Sequence, residues 1–141
     1  MFYIDGHCDS LSKSLDMGKT LDDESLQFNF EQARRIGGGI QIMAAFINPK
    51  YVDDSNGGFN RCKDIIQNLK NYENEKNINM EISSKKELEN IVNNSDIKVI
   101  LSVENGSAIS GNLDNVDFLH NLGVKIMSIT WNDDNDLRLW C

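Results

Sequence analysis

The feature that most constrains the fold is an alternation of apolar, strand-like runs with segments of helical periodicity along the chain. Residues 40–47 and 98–103 are largely apolar runs of the kind that form strands covered on both faces. Shorter runs at residues 3–5 and 125–130 predict two further strands. Because strands that alternate with helices are joined by right-handed crossovers, the four strands are predicted to pair in parallel.

Four other segments carry apolar residues at helical spacing. The glycines at residues 37–39 stop the first helix, residues 84–87 have the form of a capping box that opens the third, and Gly123 closes the last. The second helix has the longest apolar stripe, which we interpret as core. The apolar residues at helical spacing in the four predicted helices are, in order, Phe30, Ala33 and Ile36; Phe59, Cys62, Ile65, Ile66, Leu69 and Tyr72; Leu88, Ile91 and Val92; and Leu113, Val116, Phe118 and Leu122.

The number of units does not complete a barrel. A closed (β/α) barrel of the TIM type needs eight strand–helix units and about 250 residues, whereas these 141 residues supply roughly four units. We therefore expect residues 1–141 to form one incomplete α/β barrel domain, the truncated amino-terminal part of such a fold. Its strands should lie in sequence order, with those near Ile4 and Ile129 at the edges. A doubly wound, flavodoxin-like sheet would instead place the Ile4 strand between two others.

Charge and cysteine content exclude several classes of protein. The net charge of -8 comes from scattered acids with no basic patch, which argues against a nucleic-acid surface. No charged segment followed by an apolar stretch opens the chain, and no run of eighteen apolar residues occurs, so neither export nor a membrane is expected. The cysteines Cys8, Cys62 and Cys141 are odd in number and widely spaced, so we expect no disulfide framework and a cytoplasmic location.

The triplet His7-Cys8-Asp9 follows the first predicted strand and is a candidate metal-binding element. Alternation along a strand would project His7 and Asp9 together, with Cys8 packed on the opposite side. Imidazole and carboxylate groups are common ligands of a divalent metal such as zinc. A hydrogen-bonded histidine beside a turn aspartate remains the alternative. Asp5, expected on the same face, either orients His7 or is a buried carboxylate bonded to turn amides.

The later strands also end in polar residues. Glu104 follows the third strand, and a polar cluster at residues 131–135 follows the fourth. The carboxyl ends of parallel strands meet at one edge of a sheet, which is where the active sites of α/β barrels are built. We therefore expect His7, Asp9 and Glu104 to converge there.

Several segments in order resemble motifs of the membrane dipeptidase (renal dipeptidase) family of zinc peptidases. They are residues 5–9, the glycines at 37–39 with Gln41, residues 102–106, and residues 119–123 running into 128–132. The resemblance spans the chain but covers only the amino-terminal part of the family's barrel, less than half of a full-length member. Where this chain has Asn105-Gly106, the family usually has two glycines, so Asn105 is expected to adopt a left-handed conformation.

The resemblance implies a binuclear zinc site in which His7 and Asp9 bind one ion and Glu104 bridges both. It implies hydrolysis of small dipeptides, and it identifies no catalytic acid or base in these residues. The family completes its site with two histidines and an aspartate from later strands, outside this sequence. Asn132 and Asn135 are candidates for hydrogen bonds to a substrate carboxylate or amine, while His120 is expected on the exterior of the last helix.

Two functional hypotheses follow. The first is a metallodipeptidase by family, whose isolated chain is inactive because ligands and a substrate-positioning wall are missing. The second is a non-catalytic remnant or assembly module that needs a complementary chain or associates with itself. An exposed apolar interior face would favour such association.

Overall fold

The computed structural model describes residues 2–52, 57–82, 84–91, 96–132, 134–135 and 137. Four parallel strands form one sheet in the order β1-β2-β3-β4, with β1 and β4 at the edges. They are β1, Tyr3–Cys8; β2, Gly39–Phe46; β3, Ile97–Glu104; and β4, Val124–Met127. The predicted parallel sheet in sequence order is confirmed. β1 runs three residues further than predicted, and β4 ends three residues earlier.

Five α-helices are described, together with 3-10 turns at Pro49–Tyr51 and Gly106–Ile109. They are α1, Ser10–Met17; α2, Phe30–Ile36; α3, Gly57–Lys76; α4, Lys85–Asn90; and α5, Asp114–Asn121. Ser84 caps α4 as predicted, since its side chain accepts a hydrogen bond from the Glu87 amide. Val92, predicted to belong to this helix, lies outside the described residues, as does Cys141. None of the described helices is both long and apolar enough to cross a membrane.

Helix α1 was not predicted, because serines occupy much of its inward face. Ser10, Ser12 and Ser14 are buried beside Leu11. The Ser12 hydroxyl accepts a hydrogen bond from the Phe46 amide at 3.0 Å and lies 3.4 Å from the Ala44 carbonyl oxygen. The helix is therefore held to the carboxyl end of β2 by polar contacts, which leave no apolar periodicity in the sequence.

The core lies between one face of the sheet and the helices. The stripe predicted for α3 is confirmed: its residues from Cys62 to Tyr72 are buried, and Phe59 is partly buried. Met43, Leu101 and Val103 face this stripe from the sheet. For α5 the apolar residues that face the core differ in part from those predicted. Leu122 packs against the core as predicted and Leu119 is also buried, whereas Leu113, Val116 and Phe118 are exposed.

The other face of the sheet is open. Its apolar residues include Ile4, Ile126 and Ile129, which are 69%, 46% and 62% exposed. Ile40 and Ala44 on the same face are buried. Because no further strand pairs with β1 or β4 among the described residues, the fold has the form of an open part of a barrel wall.

A polar cluster around Asp22 joins the loop after α1 to α2 and α3. Its carboxylate accepts a hydrogen bond from the Tyr72 hydroxyl at 2.7 Å and pairs with Arg34 at 3.2 Å and Lys76 at 2.8 Å. Burial opposes ionisation, but the hydrogen bonds from Lys76 and Tyr72 and the positive charges of Lys76 and Arg34 outweigh it. The pKa of the Asp22 carboxyl is therefore lowered.

Replacing this carboxylate should destabilise the fold in a pH-dependent way. Asp22→Asn is expected to lower the free energy of unfolding by about 1–3 kcal/mol at pH 7, from urea titrations, because charged hydrogen bonds are lost. A carboxyl with a lowered folded-state pKa stabilises above its unfolded-state pKa, and this contribution disappears as pH falls through the folded-state pKa. The difference between wild type and variant should therefore vanish at low pH. Glu31→Gln, which removes the exposed pair with Arg35, is the control and should change stability little. An equal effect of both variants would contradict the expectation.

Candidate functional site

Three side chains predicted to act together meet at the carboxyl edge of the sheet. His7 lies near the end of β1, Asp9 lies between β1 and α1, and Glu104 ends β3. His7 Nε2 is 3.3 Å from Glu104 Oε2 and 3.5 Å from Asp9 Oδ1. One ligand atom from each residue lies within 4.8 Å of the others. Since β2 pairs in parallel with both β1 and β3, this convergence follows from the topology.

A β-bulge in β1 determines which residues share the open face. Asp5 pairs with Gln41 but Cys8 pairs with Met43, so β1 contains one extra residue between them. His7 therefore lines a cavity with Ile42 and Glu104 on the open face.

Asp5 lies on the other face, and its predicted placement beside His7 and Asp9 is wrong because the bulge interrupts strand alternation. Asp5 is exposed rather than buried. Its Oδ1 accepts a hydrogen bond from the His7 backbone amide at 3.1 Å. This hydrogen bond joins Asp5 to the main chain of His7 and not to its imidazole.

The donor set has the chemistry of a cation site. Asp9 Oδ1 is buried and accepts no hydrogen bond from the described residues, although His7 Nε2 lies at an ion-pair distance. Ligands about 2.1 Å from a tetrahedral zinc ion are roughly 3.4 Å apart, close to the separations between His7 and the two carboxylates. Cys8 packs in the core, where burial raises the thiol pKa to about 11, so it is a packing residue at neutral pH.

Asn105 holds the chain immediately after Glu104. It is 2% exposed and has φ +86°, so the expected positive-φ backbone is present. Its Nδ2 donates to the Ile47 carbonyl at 3.0 Å, and its Oδ1 accepts from the Ser107 amide at 3.1 Å and from Asn135 Nδ2 at 3.0 Å. Its own amide donates to the Ser128 hydroxyl at 3.0 Å. One side chain therefore joins the loops that follow β2, β3 and β4.

The backbone of Ile129 approaches the neighbouring Gly106 so closely that only glycine fits at this position. A Cβ atom there would lie 2.4 Å from the Ile129 carbonyl oxygen, which accepts a hydrogen bond from the Gly106 amide. This contact brings the segment after β4 against the segment after β3.

A cavity of about 290 Å³ adjoins the three converging side chains. The sequence analysis did not predict the hydroxyl groups that line this cavity. Ser102 could have been predicted, because it lies two residues before Glu104 and therefore on the same face of the strand. The cavity is lined by Gly6, His7, Ile42, Ser102, Val103, Glu104, Ile126, Ser128 and Thr130.

The two predicted substrate-binding asparagines have different surroundings. Asn135 Nδ2 donates to Asn105 Oδ1 and to the Ile129 carbonyl at 2.8 Å, while its Oδ1 accepts from the Leu137 amide at 3.0 Å. Asn132 is exposed. Since Asn135 already holds the loop, Asn132 is the better candidate for substrate contact. His120 is exposed on α5, as expected.

Comparisons with known proteins point to one family. The sequence pattern of membrane dipeptidase (Peptidase family M19) matches residues 1–138. The crystal structure of the dipeptidase AC, a metallopeptidase of family M19, is similar with a TM-score of 0.70 and 16% identity. The match covers 91% of this chain and 42% of that chain, so this chain spans less than half the length of the solved relative. At this identity the likeness shows the fold alone. None of the curated proteins matches the sequence.

Substitutions at Asn105 should separate its hydrogen bonds from its backbone conformation. Asn105→Gly keeps a positive φ without steric cost but loses the side-chain bonds, so we expect the free energy of unfolding to fall by about 1–3 kcal/mol. Asn105→Ala loses the same bonds and adds left-handed strain, so it should be less stable than Asn105→Gly by about 1 kcal/mol. Urea unfolding of both variants measures this difference. Equal stabilities would mean that the backbone at residue 105 carries no strain.

Proposed function

This chain belongs to the membrane dipeptidase family, peptidase family M19, and on that premise we propose that it carries the amino-terminal part of a zinc-dependent dipeptide-hydrolysing site. The convergence of His7, Asp9 and Glu104 at one edge of the sheet is the observation that carries the proposal. In this proposal, residues 1–141 form one incomplete barrel domain. The position of these residues at the carboxyl edge of the parallel strands supports the proposed site, because active sites of α/β barrels occupy that edge.

The three residues have distinct proposed roles. His7 and Asp9 would hold one ion, and Glu104, which has two oxygens and lies at the strand end, would supply a ligand to that ion and to a second one. The buried Asp9 Oδ1 accepts no hydrogen bond from the part of the chain that the structure describes, which supports a cation at this point. Zinc bound there would lower the pKa of a coordinated water and polarise the scissile carbonyl.

The protein's own residues would position the metal ligands and the substrate. Asn105 and the Gly106 contact with Ile129 fix the strand end that carries Glu104. Ser128 and Thr130 present hydroxyls to the adjoining cavity, where they can bond the polar groups of a peptide. Asn132 is proposed as a partner of the substrate carboxylate. Fixed ligands and a shaped cavity reduce the cost of reaching the reactive geometry.

We propose further that the 141-residue polypeptide alone does not catalyse this reaction. Three ligands do not fill the coordination of two ions, and the match covers 42% of the solved dipeptidase. The exposed Ile4, Ile129 and Trp131 favour the second hypothesis for the isolated chain, an assembly module that requires a complementary chain.

Metal titration tests the proposed ligands. We expect His7→Ala, Asp9→Asn and Glu104→Gln each to weaken zinc binding roughly tenfold or more by calorimetry, because each removes one donor. Asp5→Ala should have a smaller effect, since Asp5 accepts a hydrogen bond from the His7 backbone amide and does not supply a ligand atom to the proposed site. His120→Ala removes an exposed histidine from α5 and is the matched control, expected to bind zinc like wild type. Zinc affinity unchanged in all three ligand variants would refute the proposed site.

Peptide hydrolysis tests the inactive-chain proposal. The purified chain with excess zinc should not hydrolyse an L,L-dipeptide or a dipeptide with a carboxyl-side D-residue, because the wall that positions substrate is incomplete. Product amine release is the measurement, with His7→Ala assayed in parallel. Turnover that depends on His7 would overturn the claim of inactivity while supporting the assignment of the ligand.

A further inference from the structure

The main-chain pairing of β1 with β2 ends before it reaches the candidate metal site. The last β1 residue in this ladder is Cys8, and Asp9 follows it. Glu104, in contrast, pairs with Phe46 in the ladder between β2 and β3, and its carbonyl accepts from the Ile47 amide at 3.1 Å. The sheet therefore fixes the main chain of Glu104 directly, but not that of Asp9.

The hydroxyl of Ser12 in α1 continues the ladder between β1 and β2. Alternate residues of a strand turn their main-chain groups toward opposite neighbours. Since the Ile47 amide bonds β3, the Ala44 carbonyl and the Phe46 amide face the side of β1. In a parallel ladder, one residue of the neighbouring strand accepts from such an amide and donates to such a carbonyl. Ser12 Oγ takes this role, since it accepts from the Phe46 amide at 3.0 Å and donates to the Ala44 carbonyl at 3.4 Å.

Ser12 and Asp9 belong to the same turn at the start of α1. Asp9 is the residue that precedes the helix, and its carbonyl accepts from the Lys13 amide at 3.0 Å. The Asp9 carboxylate accepts no hydrogen bond from the amides of this turn, all of which lie in the described part of the chain, although aspartates at this position commonly do. The distance of this carboxylate from Glu104 therefore depends on where α1 lies against the sheet.

The neighbouring buried serines of α1 bond other parts of the fold. Ser10 Oγ accepts from the Phe28 amide, in the segment before α2, at 3.2 Å. Ser14 Oγ accepts from Asn68 Nδ2 of α3 at 2.6 Å. Neither partner lies in a strand that carries a proposed ligand. Ser12 is 5% exposed, so its bonds to β2 are buried and bulk water does not readily replace them.

These contacts make Ser12 a link between the two carboxylates of the candidate site. Its hydroxyl joins the turn that carries Asp9 to β2, the same strand on which Glu104 is paired. We propose that Ser12 is a positioning residue whose hydroxyl sets Asp9 relative to Glu104 so that both reach one ion, an inference that rests on the proposed metal site. Removing the hydroxyl releases the start of α1 from β2 but leaves the ladder that holds Glu104 intact.

Zinc calorimetry on the 141-residue chain tests this role. Ser12→Ala should bind zinc about tenfold more weakly than wild type, as is typical when a residue that orients a ligand is removed. Ser14→Ala removes a similarly buried hydroxyl from the same helix, but one that bonds α3, and is the matched control expected to bind zinc like wild type. Wild-type affinity in a folded Ser12→Ala protein overturns the proposal, and so does an equal loss in both variants.

A double-mutant cycle separates positioning from general destabilisation. If Ser12 acts through Asp9, Ser12→Ala should weaken zinc binding in the wild type but have little effect in an Asp9→Ala background, where no carboxylate remains to be positioned. A merely structural role would lower the affinity by the same factor in both backgrounds and would overturn the proposal. A wild type that binds no zinc, or binds it as tightly as Asp9→Ala, refutes the metal site and this role together. Binding that depends on Asp9 but not on Ser12 refutes the positioning role alone.

A second pair of variants keeps the test decisive if Ser12→Ala does not fold. Ser12→Thr and Ser12→Val introduce side chains of the same shape that differ in the hydroxyl group. Ser12→Thr should therefore bind zinc about tenfold more tightly than Ser12→Val. Circular dichroism and urea unfolding establish that each variant is folded before zinc is added. Equal zinc affinities in this pair overturn the proposal.

Discussion

The parallel pairing of β2 with β1 on one side and β3 on the other is the constraint on which the rest of the structure depends. It sets the carboxyl ends of β1 and β3 at one edge of the sheet. His7 Nε2 and Glu104 Oε2 are therefore 3.3 Å apart, although the two residues are distant in sequence. It also gives β2 a hydrogen-bonded neighbour on each edge, while Met43 and Ala45 are buried in the core that the helices cover. The placement of the candidate site follows from this strand order.

Much of this arrangement could be predicted from the sequence, because buried parallel strands and the α3 stripe leave strong apolar patterns. The bulge in β1 could not, since a residue is extra only relative to a particular partner strand. The same limit explains the error at Asp5, whose face was inferred from uninterrupted alternation. Helix α1 escaped prediction for a different reason: Ser12 faces inward to bond the end of β2, so burial there is polar.

The site also shows where a local preference is overridden by its surroundings. Asn105 adopts a positive φ where glycine would be easier, yet its amide group joins three strand-end loops in one buried network. The hydrogen bonds offset the backbone cost only if all partners are present, so the network makes the geometry after Glu104 cooperative. The family's glycine at this position indicated a positive φ for Asn105, but not that Ile47, Ser107 and Asn135 would be its partners.

The wide sequence separation between His7 and Glu104 also has a kinetic consequence. His7 and Asp9 are near neighbours in the unfolded chain, whereas Glu104 joins them only after β3 has docked on β2 across α3 and α4. Parallel contacts of this kind require closure of long loops and form late and slowly. An ion that needs all three donors would therefore bind the folded chain and not the unfolded one, and by mass action its free concentration would set part of the apparent stability. In such a protein the availability of metal during synthesis would influence how much of the chain escapes degradation.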